Sequence, residues 1–244
     1  QVVEQGFEAG AWRQPQWQTL ETRLRQIHLL SAYAHSFRGG ERAAVVYLLE
    51  HCPRRTLARL LVGESKPLWK SSMGRYLLLC PRGWLDQSAV FVARAEQAEL
   101  DCLDLKQSRI DVPRENGFAS RLDAEFHRPL AYDTVAAGML VPNFSRACQT
   151  VARNQTFVDE TRIACALERY RKATGAYPET LAALVPRFLD ELPHEIVNGQ
   201  PLQYRRTADG DYRLYSVGWD LKDDGGERGA RSIVERGEKD WVWR

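Results

Sequence analysis

The chain has 244 residues, 44% of them hydrophobic and 10% aromatic, enough for one large core or two smaller ones. Its 34 basic and 32 acidic residues leave a net charge of +2. Split at residue 150, the halves carry +3 (19 basic, 16 acidic) and −1 (15 and 16), so there is no basic arm for nucleic acid. With a mean hydropathy of −0.45 and no apolar run near the ~18 residues of a membrane span, the chain reads as globular.

The sequence opens at Gln1 without Met or a signal-like stretch, so a targeting or anchoring segment is expected upstream. The five cysteines (Cys52, Cys80, Cys102, Cys148, Cys165) are odd in number and form no CxxC pair. They support neither a zinc ribbon nor a redox motif and read as buried free thiols.

The first two-thirds are helical in pattern. Leu20, Leu24, Ile27, Leu30 and Tyr33 step by threes and fours through residues 17–37, and Gly39-Gly40 is expected to end that helix. A second apolar stretch covers 41–62 and is broken at Pro53. Residues 76–84 read as a buried connection closed by Pro81 and Gly83. A third helix is expected from Asp86, with Phe91, Ala95, Ala98, Cys102 and Leu105 as its apolar stripe. That phase puts Glu96, Glu99, Asp101 and Asp104 on its solvated side. Shorter helices follow at 118–127 and 131–140.

From Asn143 to Thr174 there is neither Pro nor Gly, which predicts one long helix capped by Gly175. A short amphipathic helix is expected over Leu181–Leu189. Asn198-Gly199 and Asp209-Gly210 are hairpin-turn dipeptides beside the alternating segments 202–204 and 212–215. Residues 218–240 hold five glycines and seven acids, the composition of a loop. The expected class is α+β: a helical domain over 1–142, then a domain over 143–244 with a long helix (143–174) and a small antiparallel sheet and loop (196–244).

Residues 163–243 hold the ordered series Ala166-Leu-Glu-Arg-Tyr-Arg-Lys-Ala-Thr-Gly-Ala-Tyr-Pro178, Leu184-Val-Pro, Leu192-Pro, Gly199-Gln-Pro-Leu-Gln-Tyr204, Asp211-Tyr-Arg-Leu-Tyr-Ser-Val-Gly218, Asp220, Gly225-Gly226 and Asp240-Trp241. In this series they resemble the globular part of the major pseudopilin of type II secretion systems. The whole chain also resembles envelope-associated proteins of planctomycete and verrucomicrobial type, which carry no activity with them. The pseudopilin resemblance implies a C-terminal loop that holds calcium, with Asp220 and Asp240 as carboxylate ligands and the Val217 carbonyl as a backbone ligand. It also implies an extracytoplasmic place, with a tether upstream of Gln1. The family's apolar assembly helix and cleavage motif are missing here, and the segment from Gly226 to Asp240 is longer than the family's.

Calcium takes roughly six to eight oxygens from carboxylates and loop carbonyls, and a Gly-rich acidic loop can wrap it; Asp223 and Asp224 are further carboxylates in the right segment. The bland reading of those acids is a solvated loop balanced by Lys222, Arg228, Arg231, Arg236 and Lys239. Trp219, Trp241 and Trp243 read as anchors of that loop, with a stacking platform as the other possibility. The histidines are scattered, without HExxH or GxSxG; Asp123 and His127 are spaced as a helix-surface pair. The expected function is a non-enzymatic structural or interaction module with protein partners and no nucleic acid, in a secretion or pilus-like assembly. The alternatives are a hydrolase with its cleft between the helical and α+β parts, and a sugar- or peptide-binding module.

Overall fold

The computed structural model describes residues 6, 12–63, 67–129, 131–140, 144–226 and 240–243. The fold is α+β, helices being followed by a long helix and a small sheet, with two small antiparallel sheets of two and three strands. In chain order the elements are α1 Gln14–Leu24, α2 Leu29–Ser36, α3 Arg42–His51, α4 Arg54–Val62, α5 Ser72–Leu79 and α6 Arg82–Leu100. Then come β1 Leu103–Asp104, β2 Arg109–Ile110, α7 Val112–Phe126, α8 Val135–Leu140, α9 Phe144–Thr174, β3 Gln203–Arg206, β4 Tyr212–Ser216 and β5 Trp241–Val242.

Two compact units share the chain discontinuously. Unit 1 takes residues 1–30, 105–110 and 149–244; unit 2 takes 31–104 and 111–148. A single cut at residue 142 therefore does not describe the grouping, because α1 belongs with the long helix. Trp17 of α1 is buried, with Lys172 over its ring at 5.3 Å, and Glu21 lies 3.8 Å from Arg162. The residues after α1 are tied the same way: Leu29 N–H donates to Gln155 Oε1 at 2.8 Å. Such contacts span more than a hundred residues and leave no local trace in sequence.

Unit 1 is built on α9. The expected stripe is present: Ile163 and Leu167 are fully buried, and Tyr170 packs half-buried on Phe188. Gly175 ends the helix at φ +90°, its N–H donating to the Arg171 carbonyl. The three-stranded sheet runs β3-β4-β5, with Gln203 opposite Tyr215, Arg206 opposite Tyr212 and Ser216 opposite Trp241. Asp209-Gly210 makes the β3–β4 turn that its composition predicts, with Gly210 at φ +82°. Tyr212 and Leu214, two apart and so on one face of β4, join Ile163, Leu167, Leu202 and Trp243 in the core. The amphipathic helix expected over 181–189 is shorter: a 3₁₀ turn over Leu181–Leu184, after which Leu189 is buried without continuing it.

Unit 2 departs from the sequence reading in three places. Gly39-Gly40 does not end a helix; the pair lies in a π-helical turn, Phe37–Glu41, that runs straight into α3. Of the connection expected over residues 76–84, the first four residues belong to α5, which is started by Ser71, whose Oγ accepts from Gly74 N at 3.2 Å. α6 starts at Arg82 behind Pro81 rather than at Asp86, which sits one turn inside and pairs with Arg82 at 3.3 Å.

The buried face of α6 is also rotated from the expected one. It carries Leu85, Ser88, Ala89, Val92, Ala95, Glu96, Glu99 and Leu100, so two of the four acids assigned to solvent lie inside. Leu85, Val92 and Glu99 are seven apart and so share one face, and the larger aliphatic side chains on that face, more than the Phe91–Ala98 stripe, set what is buried.

The α5 start gives the first test. A Cβ on Gly74 would lie 2.3 Å from the Leu68 carbonyl oxygen, which is backbone and cannot yield. Gly74→Ala is expected to destabilise the fold by about 2 kcal/mol or more, against about 1 kcal/mol for Ser71→Ala, which removes only the cap. Urea unfolding followed by helical circular dichroism checks the order of the two effects.

Candidate functional site

The expected calcium loop is described up to Gly226 and again from Asp240; residues 227–239, including Arg228, Arg231, Arg236 and Lys239, lie outside the described residues. What holds the described part follows from strand alternation. Arg213 and Tyr215 face away from the core side of β4, and Arg205 is opposite Arg213 on β3. Arg205 Nη2 donates to the Gly225 carbonyl at 2.9 Å, and Arg213 Nη1 lies 3.4 Å from the Gly225 and Gly226 carbonyls. Tyr215 donates its hydroxyl to Asp223 Oδ1 at 2.9 Å, and that oxygen also accepts from Gly225 N at 2.8 Å. Gly226 is at φ +74°, and a Cβ there would sit 2.7 Å from Arg213 Cδ, so the backbone needs glycine to lie against the strand.

Asp240 closes this turn from the far end of the loop. It is buried, its Oδ2 accepting from Gly226 N at 2.6 Å and its Oδ1 from Asp224 N at 3.3 Å. Burial raises its carboxyl, opposed by those two N–H groups and reinforced by the charges of Asp223 and Asp224. Asp220 makes a local turn contact, Oδ1 accepting from Lys222 N at 3.2 Å. Val217 is buried at the end of β4. Among the sequence-predicted ligands, then, Asp223, Asp224 and Asp240 are electrostatically joined, and Asp220 bonds within its own turn.

A fourth acid belongs to this group and escaped the sequence reading. Glu195 is 1% exposed, its Oε1 accepts from Val217 N at 3.3 Å, and its Oε2 has no hydrogen-bond partner. It is held beneath β4 by a tight loop in which its own N–H reaches the Gln200 carbonyl and its carbonyl accepts from Gly199 N, both at 2.7 Å. The Asn198-Gly199 turn is the sequence signal that could have found it. Burial pushes the Glu195 carboxyl up to about 7; the Val217 N–H and Asn198 side chain act against this, while Asp240 and Asp223 add to it. Among the described residues, no salt bridge reaches Glu195, Asp223 or Asp240. Nor do three or more His, Cys, Asp or Glu side chains there form a ready-made metal cage.

The other candidates are separate. Asp123 and His127 are both about four-fifths exposed and 3.4 Å apart, the surface pair their spacing indicates. Trp243 is core, its ring 5.2 Å from Phe157, while Trp219 and Trp241 are half-buried. The five cysteines are free, four of them buried.

The raised Glu195 carboxyl gives a pH test in chelator. Its ordinary value is 4.5, so between pH 4.5 and about 7 the folded chain keeps a proton that the unfolded chain has released. Stability from this group is full below pH 4.5 and is lost as pH rises through 7, by about 3 kcal/mol. Glu195→Gln is expected to flatten that slope and to be the more stable protein at pH 8 without metal. Unfolding midpoints across pH 5–8 check it; parallel curves for both proteins would contradict it.

No family model, curated protein or solved structure matches this chain.

Proposed function

We propose that the chain is a non-enzymatic, extracytoplasmic structural or interaction module whose C-terminal loop is locked by calcium, acting with protein partners in a secretion or pilus-like assembly. The observation that carries this reading is Glu195. It is a carboxylate removed from water with one oxygen unpartnered, beside Asp240 and Asp223, and no salt bridge reaches it among the described residues. A cation is the simplest neutraliser of such a group.

The donors favour calcium. They are carboxylates and loop backbone, with no thiolate or imidazole, and they sit on glycine-rich turns where Gly225 and Gly226 take positive φ. A loop site of this kind, built on few rigid elements, suits the millimolar calcium found outside cells. In this reading Asp240 is the pivotal ligand because it already ties both ends of the loop together. Asp223, Asp224 and Glu195 add carboxylate oxygen, and the Val217 carbonyl and Asp220 complete the shell. The ion fixes a surface for a partner and does no chemistry. Burial of Trp243 in the core favours anchoring over sugar stacking, and the exposed Asp123–His127 pair offers no built acid–base site.

The test is amide exchange and thermal unfolding with chelator or millimolar calcium. Calcium at ~100 times Kd is expected to add about 2.7 kcal/mol, a shift of a few degrees, and to protect the amides of residues 217–226. Asp240→Asn abolishes both effects and Asp220→Asn weakens them. Calcium-independent protection of residues 217–226 would remove the role assigned to the ion.

A further inference from the structure

Unit 2 has its own acids in its interior, and no part of the proposed function uses them. Glu96 and Glu99 are neighbours on the buried face of α6, and Glu115 lies in the first turn of α7; their exposures are 1%, 0% and 0%. Glu96 is neutralised by Arg42, whose Nε lies 3.1 Å from Glu96 Oε2. Glu99 and Glu115 are not: among the described residues neither forms a salt bridge. Glu99 Oε2 and both oxygens of Glu115 also have no hydrogen-bond partner.

Polar groups from two more helices converge on the pair. Tyr33 of α2 donates its hydroxyl to Glu99 Oε1 at 3.0 Å, and that hydroxyl lies 3.3 Å from the carbonyl of Phe144 at the start of α9. Ser145 and Cys148, on the same turn of α9, place O–H and S–H dipoles beside Glu115 and Glu99, favouring the ionised carboxylates. Phe37 holds this corner closed, its ring 4.7 Å from Tyr33 and 4.9 Å from Phe144.

Two carboxylates out of contact with solvent and without a counter-charge are strongly unfavourable as ions. One shared proton leaves one of the two charges in place, whereas a divalent cation bound by both carboxylates cancels both. The surrounding donors are neutral oxygens, which sorts the ion by hardness. We propose that Glu99 and Glu115 bind a divalent, oxygen-preferring cation of the Mg²⁺, Mn²⁺ or Ca²⁺ class inside unit 2, with the Tyr33 hydroxyl and Phe144 carbonyl as the neutral oxygens beside it. The ion clamps α6, α7 and the start of α9 around one point. Two carboxylates suffice to hold such an ion because these hard cations also take neutral oxygens, here the Tyr33 hydroxyl and the Phe144 carbonyl.

The test uses the full chain carrying Asp240→Asn, so that the loop site proposed above is silent and its failure is read separately in the unsubstituted protein. Metal-free protein is titrated with Mg²⁺, Ca²⁺, Mn²⁺ and Zn²⁺ by calorimetry at neutral pH, and Mn²⁺ binding is followed by electron paramagnetic resonance. One ion per chain is expected. At least a tenfold loss of affinity is expected in Glu99→Gln and in Glu115→Gln, with a smaller loss in Tyr33→Phe. The glutamine variants keep the side-chain shape, and circular dichroism in chelator confirms that they fold; if either does not, the Mn²⁺ signal of the Tyr33→Phe chain carries the test. The proposal is overturned if none of the four ions binds, which leaves a proton as the occupant. It is equally overturned if binding survives both glutamine substitutions, or if only Zn²⁺ binds and does so through Cys148.

Discussion

A carboxylate removed from water needs a counter-charge, and the arrangement of both units turns on how that need is met. Ordinary solutions are visible beside the unusual ones. Glu96 faces Arg42, and Glu168 is held by Tyr177 and Arg171. Glu99, Glu115 and Glu195 have no such basic partner among the described residues, although each is at least as deeply buried. In a chain with 34 basic and 32 acidic residues, the shortage is one of placement and not of supply. In the two proposals made above, these three acids are the positions that an ion would neutralise.

The surroundings of these acids are otherwise firmly built. Glu195 is fixed by the loop that ends at Gly199 and by the Val217 N–H, and Asp240 by two backbone N–H groups. Arg205, Arg213 and Tyr215 are spent on the loop backbone and on Asp223, so the basic residues nearest the site position it without neutralising Glu195 or Asp240. In unit 2 the aromatic corner of Tyr33, Phe37 and Phe144 closes the pair off from water. Preorganised donors around an unneutralised acid are the features that distinguish an ion site from a packing accident.

Much of the fold was legible because it depends on short-range rules. The absence of Pro and Gly from 143 to 174 gave α9 to within a residue, and Asp209-Gly210 gave the β3–β4 turn. Gly175 at a positive φ followed from its place after the last apolar turn. The membership of α1 in unit 1 was not legible, because it rests on Trp17, Glu21 and Leu29 meeting residues far along the chain. The start of α6 was misplaced because Asp86 is a good cap although the helix begins behind Pro81, and its inner face was rotated because the stripe through Phe91, Ala95 and Ala98 was preferred to the one through Leu85 and Val92. That rotation hid Glu96 and Glu99, since acids at a helical spacing read as a solvated stripe by default. Composition drew attention to the loop acids, but Glu195, on which the proposal rests most, lies outside the acidic segment and became visible only through the hairpin that buries it.

The central claim is that buried, unneutralised carboxylates mark ion sites, and diffraction from crystals grown with Mn²⁺ and with Ca²⁺ tests it most directly. The account predicts anomalous difference density between Glu99 and Glu115 and beside Asp240 and Glu195, each peak within bonding distance of carboxylate oxygen. Continuous carboxyl–carboxyl hydrogen bonds at those places, with no anomalous density at either, would contradict it.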